Sequence, residues 1–115
     1  MKPTIWFCET WVQEFWIFYR FDAKDVEKYC AKRGMPDIDL KQEGGVRFRV
    51  DGSGPIVLWV SKLKKKGELI EILAHEAVHA AHVCLSRRGV VADFTNDEPV
   101  TYLTQRLVRK ALDAG

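Results

Sequence analysis

The sequence predicts an α+β fold, and three observations carry that prediction. Two regions, Thr4–Arg20 and Val46–Val60, have the aromatic and β-branched content of strands and are each broken by a turn. Two later regions, Glu68–Leu85 and Asn96–Leu112, repeat apolar residues at helical spacing. A short helical repeat, Ala23–Arg33, separates the strand regions. The expected architecture is an N-terminal hairpin and helix, a small mostly antiparallel sheet, then two helices, in one domain spanning residues 1–115.

The hairpin is expected to pair Thr4–Thr10 with Glu14–Arg20 and to turn near Trp11–Gln13, although no Gly or Asn specifies that turn. Its rings, among them Trp6, Phe7, Trp11, Phe15 and Trp16, read as core packing rather than a stacking surface. Asp22 is placed to cap the following helix, Gly34 to stop it and Pro36 to prevent its continuation. Met35–Gly45 is a connector. Val46–Val50 alternates apolar and basic residues, as a strand with one wet face does. Asp51–Gly54 is a turn signal, and Pro55–Val60 is so uniformly apolar that it belongs inside the sheet. The lysines between Ser61 and Gly67 read as a solvated loop. Arg87, Arg88 and Gly89 close the first long helix. Pro99 sits in the first turn of the second, where its missing N–H costs nothing.

Composition narrows the function classes. The chain is 47% hydrophobic and 30% charged, which describes a globular domain rather than a disordered one. A net charge of +2 is too weak a bias to argue for nucleic acid. Cys8, Cys30 and Cys84 are odd in number and form no C-x-x-C pair, so reduced thiols in a cytoplasmic protein are expected. Neither a signal peptide nor a membrane span is expected.

The chemistry concentrates in Leu73-Ala74-His75-Glu76-Ala77-Val78-His79-Ala80-Ala81-His82. Residues four apart on a helix lie above one another, with Cα atoms ~6 Å apart. His75 and His79 can therefore turn two imidazoles to one ion, while Glu76 stands ~100° further round the axis. Two nitrogen ligands, a carboxylate base and an open coordination position are the parts of a hydrolytic zinc site. Stepping round the helix, Glu68, Glu71, His79 and His82 fall within ~40° of His75, so the polar side is one stripe.

A third ligand has to come from elsewhere. His82 is ~10.5 Å from His75 along the axis, too far for both to share one zinc. It reads instead as a rim residue able to meet substrate. A histidine six residues after His79 is excluded because that position is Leu85. Among the downstream acids Glu98 is favoured, then Asp97, then Asp93, since Glu98 opens a helix that can return antiparallel and has the longer stem. Glu98 can equally stabilise the N-terminus of its own helix.

His75-Glu76-x-x-His79 followed by Asn96-Asp97-Glu98-Pro99-Val100-Thr101-Tyr102-Leu103 resembles the gluzincin type of zincin metallopeptidase, in particular the small single-domain zincin-like proteins of bacteriophages and prophages. The resemblance covers about residues 46–112 and implies a zincin-like fold, with Zn²⁺ on His75, His79 and Glu98 and Glu76 as general base. If phage-encoded, the chain would act in the host bacterial cytoplasm. Where larger gluzincins carry an acid four residues after the glutamate ligand, this chain has Tyr102. Tyr102 and His82 are candidates to stabilise an oxyanion. The expected partner is a peptide or protein substrate lying along an edge strand, with Val46–Val50 the candidate edge. The competing reading is a metal-stabilised binding module that cuts nothing, and a third is a nucleic-acid-associated protein.

Overall fold

A computed structural model of the protein describes residues 2–35, 38, 40, 43–62 and 65–114, with backbone alone at 66 and 114. The expected connector Met35–Gly45 and the basic loop Ser61–Gly67 lie partly outside these residues. The chain forms β1 (Thr4–Cys8), β2 (Gln13–Phe21), α1 (Ala23–Ala31), β3 (Gly44–Arg47), β4 (Ile56–Ser61), α2 (Lys66–Arg87) and α3 (Glu98–Ala114). The strands make one mixed sheet in the order β1-β2-β4-β3.

Two of the three pairings, β1 with β2 and β3 with β4, are antiparallel as expected. The central pairing of β2 with β4 is parallel, with Trp16 opposite Val57 and Phe18 opposite Trp59. Parallel neighbours need a crossover, and the segment through α1 and β3 supplies it. The parallel ladder shifts register between Tyr19 and Phe21, where Arg20 adopts a φ of +65°.

Alternation along the two central strands sends side chains to two cores. Phe15, Ile17, Ile56, Leu58 and Val60 meet Leu73, Ala77, Ala81, Cys84, Leu103 and Leu107 of α2 and α3. Trp16, Phe18, Val57 and Trp59 meet Val26 and Cys30 of α1 on the other face, where Tyr29 packs edge-on to Trp16 and Phe18. Burial on both sides explains why β4 reads as a continuous apolar run; all six of its residues are buried.

Several boundaries differ from the sequence reading. β1 ends at Cys8, and the turn occupies residues 9–12, with Val12 in the left-handed region at φ +52°. β3 covers Gly44–Arg47 rather than Val46–Val50, because Asp51 builds a wider loop. Its Oδ1 accepts from Ser53 N–H at 2.9 Å and Ser53 Oγ–H at 2.7 Å, and Gly52 and Gly54 take positive φ around it. α1 stops at Ala31, ahead of Gly34 (φ +86°), and its cap is as expected, with Asp22 Oδ1 accepting from Lys24 N–H at 3.0 Å.

The end of α2 ties the loops of the sheet together. Arg87 donates to the carbonyls of Gly54 (2.8 Å), Ser53 (3.1 Å) and Arg49 (3.1 Å) and to Gln13 Oε1 (3.1 Å). Arg88 donates to Trp11 O at 2.6 Å and to Val12 O. Both arginines read from sequence as complements to the helix dipole, but they anchor the β1–β2 turn and the β3–β4 loop. No helix among the described residues is long and apolar enough to cross a membrane.

Candidate metal centre

α2 begins with the Glu68 carboxylate accepting from Lys65 N–H at 3.3 Å. It ends at Gly89, whose φ of +71° lets Val90 N–H return to Leu85 O at 2.9 Å. Leu69, Leu73, Ala77, Ala80, Ala81, Cys84 and Leu85 are its buried side. Three alanines in that set keep the backbone close to the sheet and to α3. The opposite side carries His75, His79 and His82, all exposed, which is the polar stripe expected from the sequence.

Glu76 lies between the two sides and is buried, with 9% of its surface exposed. Its neighbour is the edge strand. A Cβ built on Gly44 would stand 2.5 Å from Ile72 Cγ2, 3.1 Å from Trp59 O and 3.4 Å from Glu76 Cγ. Only a glycine lets β3 lie this close to the turn of α2 that carries Glu76. Sequence reasoning took Gly44-Gly45 as the end of a connector; a glycine pair opening a strand was the available signal for close backbone approach.

His75 Nε2 and His79 Nε2 are 3.1 Å apart, with their ring centroids separated by 4.7 Å. Ligand atoms of His75, Glu76 and His79 all fall within 4.8 Å of one another. Two nitrogens bound tetrahedrally to one zinc at ~2.1 Å would be ~3.4 Å apart, so the pair is spaced to share an ion. The residues fit a metal, and the two histidines are its natural ligands. Nothing in this spacing selects zinc over other ions that imidazole suits.

The remaining expected site residues stand elsewhere. His82, one turn further along α2, lines a cavity of about 500 Å³ with Phe48, Val50, Gly52, Val83 and Arg87. Glu98 and Tyr102 line a separate groove of about 720 Å³ between β1, the β1–β2 turn and α3. Among the described residues no further His, Cys, Asp or Glu joins the cluster of three. Asp97 gives its carbonyl to Thr101 N–H at 3.0 Å in the first turn of α3. Asp93 accepts from the hydroxyl and amide of Thr95, bonds that hold its carboxyl below the usual aspartate range. The Asp93 carboxylate is thus engaged in a local turn, whereas Asp97 contributes only its backbone carbonyl to the start of α3. Comparisons of the chain with protein-family models, with curated proteins and with solved structures find no match.

Proposed function

We propose that this protein is a zinc-dependent hydrolase of the metallopeptidase type, as the resemblance of its motif to small gluzincin-like zincins implies. The observation that carries the reading is the 3.1 Å approach of His75 Nε2 to His79 Nε2, with the Glu76 carboxylate in the same cluster. Zinc held by the two histidines would supply Lewis acidity at a carbonyl and make water acidic enough to lose a proton near neutrality. Glu76 is the base for that proton and the acid that returns it to the leaving amine. Its partial burial beside Gly44 holds the carboxylate in one place while leaving the histidines open. β3 is a sheet edge beside Glu76, so an extended peptide can hydrogen-bond along it and present a carbonyl to the site. His82 is then a rim residue one turn away.

The third protein ligand is the unassigned part. Glu98 lies outside the histidine cluster and can serve only if its carboxylate turns from the groove it lines to the histidines. That separation favours one alternative, a metal-stabilised binding module in which an exposed histidine pair takes its other ligands from a partner. Zinc titration and peptide-library cleavage of wild type, Glu76→Gln and His79→Ala decide between them. The hydrolase reading expects Glu76→Gln to retain zinc and lose cleavage, and His79→Ala to lose both. Zinc binding without cleavage by the wild type leaves the binding module.

A further inference from the structure

The groove between β1 and α3 has a chemistry of its own. None of His75, Glu76 and His79 lines it, and its walls include Trp6, Trp11, Tyr102, Glu9, Glu98 and Arg106. We infer that this groove is a second binding site, which takes an extended peptide segment bearing a lysine or arginine side chain.

Three observations support this occupant. The first is charge. Glu9 and Glu98 are exposed and come from different elements, and their carboxylates make no hydrogen bond or ion pair among the described residues. Two carboxylates lining one groove favour a cation there, since an ammonium or guanidinium can give them charge-assisted hydrogen bonds. The second is the aromatic lining. Trp6 already holds two of the chain's own cations, with Arg106 and Lys110 each 5.8 Å from its ring centre, while its ring stacks on Phe15 at 5.5 Å. Trp11 and Tyr102 have no such contact among the described residues, and Tyr102 is 64% exposed. Trp11 is partly buried against the core, and the exposed Tyr102 offers a ring face in the same groove for a further cation. The third is backbone. β1 ends the sheet, so one side of it has no strand neighbour among the described residues and can pair with an extended chain. The exposed Ile5 and Phe7 on that strand would flank such a segment. Arg106, further along α3, gives the groove opposite polarity at its other end and disfavours a uniformly basic ligand.

Fluorescence anisotropy of a labelled, extended valine- and threonine-rich peptide with a single central lysine tests the inference. Counterparts carrying glutamine or glutamate in place of lysine and a labelled oligothymidylate are the competitors. The lysine peptide should bind at least about tenfold more tightly than the glutamine peptide, the size expected of a cation held by rings and carboxylates together. The Glu9→Gln, Glu98→Gln double variant and Tyr102→Ala should each weaken it by about three- to tenfold. These side chains are exposed, and unchanged circular dichroism would confirm that the variants fold. His75→Ala should bind the peptide as wild type does, which separates this site from the metal pair. No binding of the lysine peptide, equal binding of the glutamine or glutamate peptide, preference for oligothymidylate, or indifference to the double variant would each overturn it.

Discussion

Gly44 and Glu76 approach so closely that a Cβ on the first would stand 3.4 Å from the Cγ of the second and 2.5 Å from Ile72 Cγ2. Ile72 is β-branched and stiff at χ1, so it cannot swing aside freely. Gly44→Ala should therefore push β3 and α2 apart and destabilise the fold by about 1–3 kcal/mol, the usual cost of overpacking. Denaturant unfolding measures this, and Gly44→Val should cost more. Where the protein still folds, the proposed hydrolase reading expects cleavage to fall further than zinc binding, because that reading makes Glu76 the base rather than a ligand. Equal stability of Gly44→Ala and wild type would show that the contact is relieved without strain.

The histidines should bind metal as a pair. Either His75→Ala or His79→Ala should lower zinc affinity by about a hundredfold or more in calorimetric titration, since one imidazole on an exposed helix is a poor site. Glu98→Ala should leave affinity within about twofold of wild type if Glu98 stays in the groove by β1. A tenfold or larger loss in Glu98→Ala would instead identify it as a ligand whose carboxylate turns from the groove to the histidines when metal binds.

Arg87 should be the most costly surface-proximal residue to replace. Its guanidinium makes four hydrogen bonds that join α2 to the β3–β4 loop and to Gln13, and burial holds its pKa below the usual arginine value. Arg87→Ala should destabilise by about 2–4 kcal/mol, because four hydrogen bonds are lost at once, although Gly54 O keeps Gln13 Nε2 and Arg49 O keeps Gly52 N–H as donors. Arg87→Lys should recover only part of this, since one ammonium cannot reproduce the planar fork. Hydrogen exchange should quicken in residues 49–54 in both variants.

The thiols should be inert in the folded protein. Burial pushes Cys30 and Cys84 up to about 11 from an ordinary value of 9.0, so neither is a thiolate at neutral pH. Iodoacetamide should modify them only on unfolding. The same shifts make stability fall in alkali. Below pH 9 both states keep these protons; between about 9 and 11 the unfolded chain releases them first and is favoured. Denaturant midpoints measured across that interval should decline, and less so in a Cys30→Ala, Cys84→Ala double variant. A flat profile would mean that neither thiol is insulated from solvent.

What the sequence determined by itself was the local geometry of α2. A helix places residues four apart on one face whatever surrounds it, so His75 and His79 were paired, His82 was separated and Leu85 was excluded before any fold was known. The hairpin, the capped helix α1 and the central position of β4 were legible for a similar reason, because periodicity and burial act within a few residues. Tertiary structure alone decided the rest. The parallel pairing of β2 with β4 depends on a crossover that no short window contains. Gly44 meets Glu76, 32 residues further along the sequence, because β3 and α2 pack against each other. Glu98 and Tyr102 stand beside β1 because α3 packs across β2 and β1 as well as against α2. Spacing along the chain can name an acid at the start of a helix, but which side of the sheet that helix reaches is set by long-range packing.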